Sequence, residues 1–388
     1  MPNFKGTIVS DQWGKNNFMQ MEKGYFTVFP YPFSAPQVPR PVSVSDNMIS
    51  PLEIDELNGV NFKNLKNHFS VALIDTGVTS NHPYLSGTPI QLLHTTNVKD
   101  GSADMHGHGT HLSGLISGTN TVTGMFPAAP ITSIKVTEGD SGSTTWSAIS
   151  EALQLVIDQM GSNEMQFPFP VSVVNLSFNS IDNIETPGGE LFALHQKILQ
   201  LESMNIPVVV SAGNYFDLFQ RSSEKPPQYG LGFPAHYAEV ISAGSGGQND
   251  PGATIVARQE LAIYSQRISS EYIPGEVDNR TFVIAPTYVT VSAGLPTSRS
   301  NSSKLFGTSS AAAVVSGLIL HLQETYFKTH GTLPAVQQIR MALKKGCDRL
   351  NNSVASSYAA GIHTHWRRTF FDDHQYLYLN RKKIISSI

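Results

Sequence analysis

The feature that most constrains the fold is a series of short apolar runs that are continuous rather than alternating. Between these runs lie segments whose apolar residues recur every three or four positions. A strand that is buried on both faces reads as a continuous apolar run. Strands of this kind alternating with helices predict an α/β fold, with a central, mostly parallel sheet and helices on both of its faces. The runs are HFSVALIDTG, ITSIKV, VSVVNLSF, IPVVVSAGN, EVISAG and FVIAP.

Helical periodicity is clearest in two segments, TWSAISEALQLVIDQM and ELFALHQKILQLESM. Apolar residues spaced by three and four positions fall on one face of a helix, which can then pack on the sheet. A third segment, SPLEIDELNG, has the start and stop signals of a helix at residues 50–59. The two apolar faces consist of Trp146, Ile149, Leu153, Val156, Ile157 and Met160, and of Leu191, Leu194, Ile198 and Leu201.

Composition divides the chain into three regions. Residues 1–45 are rich in Pro and aromatic residues, and the prolines exclude a helix or a central strand there. We expect an extended arm that packs irregularly on the body, in which residues 25–41 could act as a clamp or a block. Residues 46–350 carry the strands and helices of the main domain, and residues 351–388 are expected to be a tail that packs on it. Within the main domain, residues 246–281 are polar and irregular and are expected to include an insertion.

Overall composition narrows the functional classes. The chain has 388 residues, of which 40% are hydrophobic and 14% charged, enough for a large core. Its net charge of −4 is unlike the basic footprint of a nucleic-acid-binding protein. No stretch has the length of a membrane span, and the N-terminus lacks the apolar core of a signal peptide. We therefore expect a cytoplasmic protein, or one exported without a recognisable signal. The single Cys347 excludes an intramolecular disulfide.

Polar residues follow two of the predicted strands directly. Asp75 ends the run ALID, and Asn214 closes VVVSAGN after Gly213. Catalytic and binding groups in open α/β sheets collect at the carboxyl ends of strands. A carboxylate in this position is largely desolvated and needs a partner, whereas an amide can donate a hydrogen bond into a cleft. For both residues the alternative is an ordinary turn.

Three histidines crowd together in DMHGHGTHLSGLISG, namely His106, His108 and His111. His108 lies between two glycines, which allow close approach of the backbone, and it directly precedes an apolar helical pattern. It could be a catalytic base or a buried polar residue. Together with Asp104, the three histidines could also bind zinc, but their spacing lacks the HExxH pattern.

The stretch LFGTSSAAAVVSG places Thr308, Ser309 and Ser310 ahead of a buried-helix pattern. A hydroxyl in this position can cap the helix. It also lies in a partly positive field, beside backbone N–H groups that can hold a developing oxyanion. A serine becomes an effective nucleophile when a histidine takes its proton and a buried carboxylate orients that histidine. The stretch therefore indicates either a cap or a nucleophile.

The motifs DTG, HGTH, SAGN and GTS follow one another along the chain. In sequence and in order they resemble the motifs of the subtilisin-like serine proteases, the subtilases. The order Asp75, His108, Ser309 is that of subtilisin and differs from those of chymotrypsin and the α/β-hydrolases. Further similarity lies in GMFPAAPITSIKV, SGSTTW, VVNLSF and GFPAHYAEVISAGS. The resemblance covers about residues 46–348. It implies a subtilisin-like fold and a serine endopeptidase that hydrolyses peptide bonds through an acyl-enzyme.

The resemblance also implies a role for individual residues. Ser309 resembles the nucleophile, with Ser310 as its neighbour. His108 resembles the general base and acid, and Asp75 its orienting carboxylate. Asn214 resembles the side-chain donor to the oxyanion, with the backbone N–H of Ser309 as the second donor. The residues that the resemblance places along the substrate are Ser141, Gly142, Ser177, Phe178, Asn179 and Gly213.

Some positions depart from the family pattern. Ser310 stands where Met is usual and Ala313 where Pro is usual, so the helix is expected to begin less sharply. Asn179 replaces a Gly beside the first specificity pocket and would narrow or repolarise it. The loop GTNTVTG is shorter than the usual calcium loop and has no Asp or Glu. Structural calcium is therefore left as an open alternative, the chemistry implies no cofactor, and the expected partner is a protein or peptide substrate.

Two other functions are consistent with these observations. The departures at Ser310, Ala313 and Asn179 motivate a catalytically impaired subtilase-fold pseudoprotease that acts as a binding module. The three neighbouring histidines motivate a metal-dependent hydrolase. The presence of all four motif residues in one chain favours the protease over both alternatives.

Overall fold

The structure is a computed structural model. It describes residues 69–161, 169–179, 190–214, 216, 230–247, 261–262, 264–268, 280–287, 290–295, 301–305, 307–351 and 375–388, and the backbone of three short strands at 7–9, 20–22 and 25–27. The helix predicted at residues 50–59 and most of the N-terminal arm lie outside these ranges.

A nine-stranded sheet forms the centre of the described structure. Its strands are β4 (Ser70–Asp75), β5 (Ile90–His94), β6 (Ile131–Lys135), β8 (Val171–Leu176), β9 (Val208–Ser211), β10 (Ile241–Gly246), β11 (Thr281–Pro286), β14 (Asp348–Asn351) and β15 (Gln375–Tyr378). The spatial order is β14-β15-β11-β10-β9-β8-β4-β6-β5, and every neighbouring pair is parallel except β14 and β15. The predicted α/β class, with a mostly parallel central sheet, is confirmed.

Helices cover both faces of this sheet. They are α1 (His108–Ser117), α2 (Trp146–Gly161), α3 (Glu190–Ser203), α4 (Thr308–His330), α5 (Val336–Gly346) and α6 (Arg381–Ile385). Ala72 and Ile74 of β4 pack into the apolar cluster that includes α2 and α3. Val71 and Leu73 pack into a second cluster, which includes α1 and α4. Burial on both faces explains why the strand sequences are continuously apolar.

The predicted apolar faces of α2 and α3 contact the first cluster. Five of the six residues on the α2 face are buried, and Met160 packs against the cluster from its edge. On α3, Leu194, Ile198 and Leu201 are buried, and Leu191 is partly buried. No helix among the described residues has both the length and the apolar character needed to cross a membrane.

Residues near the C-terminus are part of the main sheet. β15 pairs in parallel with β11 and antiparallel with β14, so it lies one strand in from the edge. Its residues Tyr376, Leu377 and Tyr378 are buried. The segment 375–388 therefore contributes a strand and the helix α6, within the region expected to be a packed tail.

Two short pairings involve the N-terminal arm. β1 (Thr7–Val9) pairs antiparallel with β7 (Ser143–Thr145), and β2 (Gln20–Glu22) pairs antiparallel with β3 (Tyr25–Thr27). Packing of the arm is therefore regular at residues 7–9, where we expected irregular packing. This segment has no proline, so its backbone can pair with the otherwise unpaired edge of β7.

A separate two-stranded sheet lies beside α1. It consists of β12 (Thr290–Ala293) and β13 (Ser302–Leu305), which pair antiparallel. The hydroxyl of Ser292 donates to the backbone carbonyl of His111 over 2.8 Å. This small sheet therefore supports the helix that begins at His108.

The topology brings several motif residues to one end of the main sheet. Asp75 is the last residue of β4, and the strands β4, β8 and β9 are neighbours. The helices α1 and α4 begin with the HGTH and GTS motifs and pack against each other. The carboxyl ends of three parallel strands and the N-termini of two helices thus meet in one region.

Candidate active site

A buried hydrogen bond joins the first two motifs. Nδ1 of His108 donates to Oδ1 of Asp75 over 2.7 Å, and both side chains are fully buried. The same oxygen accepts the backbone N–H of Thr76 over 2.8 Å. Donation from Nδ1 makes Nε2 the basic nitrogen of the neutral ring, the nitrogen that a general base uses.

The glycines around His108 allow the histidine to approach the strand end. A Cβ atom on Gly109 would collide with the carbonyl oxygen of Gly77, and Gly107 has a φ of 97°. The N–H of Gly109 donates to the hydroxyl of Thr76 over 2.9 Å. A residue with a side chain at position 109 would push α1 away from β4 and separate His108 from Asp75.

The carboxylate of Asp104 holds the loop before His108 against the residue that follows β4. Its Oδ1 accepts the backbone N–H groups of His106 and Gly107 and the hydroxyl of Thr76. Its Oδ2 accepts both the N–H and the hydroxyl of Thr110, over 2.9 and 2.6 Å. Burial raises the pKa of this carboxyl, although the donors around it act in the opposite direction. Asp104 is therefore a structural anchor of the histidine loop.

Ser309 lies in the first turn of α4 and is not its cap. The N-cap residue is Gly307, whose φ is 136°, and no side chain caps the helix. Ser309 is completely buried, and its Oγ lies 3.4 Å from the carbonyl oxygen of Ser177, just beyond β8. The capping role considered for Thr308, Ser309 and Ser310 is therefore wrong.

Asn214 is held with its two polar ends in different environments. Its Oδ1 accepts the backbone N–H of Thr308 over 2.8 Å, at the start of the helix that carries Ser309. Its Nδ2 is buried, and no described residue accepts a hydrogen bond from it. A buried donor without a partner costs about 1–3 kcal/mol, and such groups are retained where a ligand completes the bond.

The six residues placed along the substrate fall into two groups. Ser141 and Gly142 lie just before β7: the Ser141 N–H closes a turn by donating to the Glu138 carbonyl, and the strand itself begins at Ser143. The edge strand therefore begins two residues later than the resemblance implies. Ser177, Phe178 and Asn179 follow β8, and Gly213 follows β9.

The structure does not gather the three histidines around a common point. His111 is buried, with Nδ1 against the Ser303 hydroxyl at 2.7 Å and Nε2 against the Thr290 hydroxyl at 2.8 Å. Burial lowers its pKa to about 3, so it is neutral near pH 7. Nδ1 of His106 accepts the backbone N–H of His108. Among the described residues, no group of three His, Cys, Asp or Glu side chains could hold a metal ion.

The loop GTNTVTG also does not fit calcium. It has no carboxylate, and the side chains of Thr119 and Asn120 donate to neighbouring backbone carbonyls. The hydroxyl of Thr119 donates to the Ser86 carbonyl, and the N–H of Gly124 donates to the Gly118 carbonyl. Calcium prefers six to eight oxygen ligands that include carboxylates.

Two residues of the site lie in the segment expected to contain an insertion. The hydroxyl of Tyr264 accepts the N–H of Gly307 over 3.2 Å and so holds the turn that starts α4. The backbone N–H of Gln266 donates to the carbonyl of Gly213 over 2.9 Å. Sequence reasoning missed both because the segment 246–281 has no apolar periodicity that would place it against the sheet.

Comparisons with known proteins agree on one family. A sequence model described as "Subtilase family" matches residues 66–361. The major intracellular serine protease of Bacillus subtilis is 28% identical over 268 residues, which cover 67% of this chain and 69% of that protein. Thermitase of Thermoactinomyces vulgaris is 30% identical over 183 residues, 46% of this chain and 56% of that protein.

Solved structures show the same fold. The prenylagaramide maturation protease PagA superposes with a TM-score of 0.57 at 20% identity, covering 83% of this chain and 94% of that one. A cold-adapted subtilisin-like serine proteinase superposes with a TM-score of 0.53 at 20% identity, covering 80% and 89%. No finding supports the pseudoprotease alternative. The family match spans well over half of the sequence, so this chain belongs to the subtilase family of serine-type endopeptidases.

Proposed function

We propose that the protein cleaves peptide bonds by acyl transfer, with Ser309 as nucleophile, His108 as general base and acid, and Asp75 as the carboxylate that orients the imidazole. Asn214 and the backbone N–H of Ser309 stabilise the oxyanion. The observation that carries this proposal is the 2.7 Å hydrogen bond between His108 and Asp75, two fully buried side chains 33 residues apart.

The reaction begins when Nε2 of His108 takes the proton of Ser309 Oγ as that oxygen attacks the scissile carbonyl. Negative charge develops on the carbonyl oxygen, next to the Nδ2 donor of Asn214. The tetrahedral intermediate then collapses, the C–N bond breaks, and the imidazolium gives its proton to the departing amine. Water, deprotonated by the same imidazole, hydrolyses the acyl-enzyme and regenerates Ser309.

Asp75 serves this cycle by holding one tautomer of His108. Its Oδ1 lies against the Nδ1–H, so the imidazolium that forms during proton transfer is stabilised by an adjacent negative charge. The Thr76 N–H bonded to the same oxygen keeps the carboxylate in place. All proton transfers use side chains of this chain, and no step requires a metal ion.

The substrate backbone is proposed to run between the two edges of the cleft. Ser141 and Gly142 precede β7 on one side, and residues 177–179 follow β8 on the other. Backbone N–H and C=O groups of both segments can hydrogen-bond to an extended peptide. Such binding aligns the scissile bond without selecting a particular sequence.

Two of the similar curated proteins are named intracellular serine proteases, from Bacillus subtilis and Paenibacillus polymyxa. On this basis we propose a cytoplasmic location. Fractionation of the producing cells tests it directly: the protein should accompany cytoplasmic markers, and its recovery mainly from the culture medium would contradict the proposal.

The catalytic proposal is tested by comparing two neighbouring serines. Ser309→Ala removes the nucleophile, whereas Ser310→Ala removes a hydroxyl that bonds the Thr290 hydroxyl at 2.9 Å. Cleavage of a denatured protein substrate should fall at least about 1,000-fold in the first variant and stay within about tenfold of wild type in the second. Equal activity of Ser309→Ala and wild type would refute the proposal.

A further inference from the structure

The geometry points to Gln266 as a residue that determines specificity: together with Asn179 it forms a polar P1 pocket that selects an uncharged amide side chain, glutamine or asparagine, on the acyl side of the scissile bond. This inference rests on the proposed function, because the position of the P1 residue follows from attack by Ser309. Four observations carry it.

The first observation is where a P1 side chain must lie. When Ser309 Oγ attacks, the carbonyl oxygen faces Asn214, and the P1 Cα is one bond away from the carbonyl carbon. Gly213 directly precedes Asn214, and residues 177–179 continue from β8, the parallel neighbour of β9. The N–H of Gly232 donates to the Ala212 carbonyl, which brings a third segment, residues 230–232, to the same place. These segments form the walls around a P1 side chain.

The second observation is that Gln266 packs against these walls. Its Cγ lies 2.7 Å from where a Cβ atom on Gly213 would be, and its own N–H donates to the Gly213 carbonyl. Its Nε2 donates to the Gly230 carbonyl over 3.0 Å. The Gln266 side chain therefore spans two of the three walls and touches the residue next to the oxyanion donor.

The third observation is an unpaired acceptor. Gln266 is 2% exposed, and no described residue donates a hydrogen bond to its Oε1. The bond from Nε2 to the Gly230 carbonyl fixes which end of the amide is the oxygen, because the flipped amide would set two oxygens against each other. A buried carbonyl without a donor is costly, so a ligand that supplies an N–H is favoured there.

The fourth observation is a second amide beside Gly213. Nδ2 of Asn179 donates to the Ser211 hydroxyl over 2.8 Å, so the other end of the amide, Oδ1, turns toward Gly213. This oxygen lies 3.7 Å from the place that a Cβ atom on Gly213 would occupy. The amide oxygens of Asn179 and Gln266 thus belong to two side chains that both lie within 4 Å of one point beside Gly213. Both are acceptors, so they match a side chain that carries N–H donors.

The residues around the proposed pocket favour an uncharged hydrogen-bond donor on the P1 side chain. None of the wall residues at 177–179, 211–214, 230–232 and 264–268 is Asp or Glu. A lysine or arginine at P1 would find no Asp or Glu among these wall residues to balance its charge. A primary amide supplies two N–H donors without this cost.

The test is a set of peptides that differ only at P1, with Gln, Met, Asn, Leu, Lys or Phe. Gln and Met have similar size, as do Asn and Leu, so each pair isolates the amide. For the wild-type protein we expect kcat/KM for Gln and Asn to exceed that for Met and Leu by at least about tenfold. A wild-type preference for Met, Leu, Phe or Lys would overturn the inference.

Gln266→Met keeps the size of the side chain and removes its amide. We expect the Gln/Met and Asn/Leu ratios to fall by about tenfold, whereas Gln337→Met, the same change at an exposed position of α5, should leave them unchanged. Asn179→Gly should increase cleavage after Phe. Ratios that are the same in Gln266→Met and wild type would overturn the role of Gln266.

Labelling of Ser309 by a fluorophosphonate separates this inference from the proposed function. Labelling together with a preference for apolar P1 residues contradicts only the amide pocket. Absence of both labelling and cleavage contradicts the catalytic proposal, and the P1 assignment falls with it. If Gln266→Met fails to fold, the wild-type peptide series still decides the question.

Discussion

The backbone N–H of Thr308 donates a hydrogen bond to Oδ1 of Asn214 over 2.8 Å. This bond couples the start of the helix that carries Ser309 to the end of the segment that follows β9. It also fixes the Asn214 amide, because an oxygen that accepts from Thr308 requires Nδ2 to point elsewhere. A single contact thus aligns the residues proposed as nucleophile and oxyanion donor.

The first prediction follows from this contact. Asn214→Asp keeps Oδ1 and replaces only the Nδ2 donor. We expect kcat to fall about 100- to 1,000-fold with little change in KM, because the donor acts mainly on the charge that develops in the transition state; this magnitude is the one known for the equivalent donor in a subtilisin. Steady-state kinetics on a peptide substrate measure both parameters. Asn120→Asp, at an exposed position, is the control, and an equal loss in both variants would contradict the assigned role.

The second prediction concerns Asp75. Asp75→Asn preserves the shape of the side chain but removes the charge that, in the proposed mechanism, stabilises the His108 imidazolium and fixes its tautomer. We expect kcat to fall about 10,000-fold. Asp158→Asn, an exposed change on α2, should have no effect on kcat. Wild-type turnover by Asp75→Asn would show that the 2.7 Å bond to His108 has no catalytic role.

The third prediction concerns Asp104. In Asp104→Asn an NH₂ group replaces one carboxylate oxygen. At least one N–H or O–H group that donates to Asp104 then faces this NH₂ group, which cannot accept a hydrogen bond. We expect the free energy of unfolding to fall by about 2–4 kcal/mol and turnover to fall as His108 loses its support. Urea unfolding of the Ser309→Ala protein, which avoids self-cleavage, measures the first quantity. Unchanged stability would contradict the anchoring role of this carboxyl.

The fourth prediction concerns acid stability. His321 stacks on Phe126 with ring centroids 4.9 Å apart, and its Nδ1 accepts from the guanidinium of Arg381. Burial, followed by the charges of Arg381 and Lys328, lowers the His321 pKa to about 3. The unfolded chain binds a proton near pH 6.5 and the native state does not. Stability is therefore lost as the pH falls from about 6.5 toward 3, and at pH 5 the loss is about 2 kcal/mol.

Urea unfolding of the Ser309→Ala protein at pH 7 and pH 5 measures this loss. In His321→Gln the difference between the two pH values should shrink by about 2 kcal/mol, although the variant is less stable at both. His330→Gln, an exposed histidine at the end of α4, should retain the wild-type difference. The same pH dependence in His321→Gln and the parent would contradict a native histidine that stays neutral.

The sequence predicts the strands and helices that are buried on both sides, because their apolar patterns are unambiguous. β4, β6, β8, β9, β10 and β11 all overlap predicted runs, and α2 and α3 have the predicted faces. It does not predict β5, β14 or β15. β5 is an edge strand that is only partly buried, and β15 is a short segment that becomes a strand because β11 and β14 offer it backbone partners.

Some residues of the candidate site could not be predicted from the sequence. The motif residues could be named because each has a short local pattern. Tyr264 and Gln266 have no such pattern, since their contacts with Gly307 and Gly213 depend on how a polar segment folds back over the sheet. The hydroxyl motif at 308–310 allowed both a cap and a nucleophile. The position of Gly307 at the N-cap excludes the first of these roles.

The proposed mechanism requires that His108 and Asp75 activate Ser309. Treatment of the protein with a fluorophosphonate, followed by mass spectrometry to locate the adduct, tests this activation directly. We expect a stoichiometric adduct on Ser309, none in Ser309→Ala, and a greatly slowed reaction in His108→Ala. An adduct on Ser310, or a rate that does not depend on His108, would contradict the proposed activation.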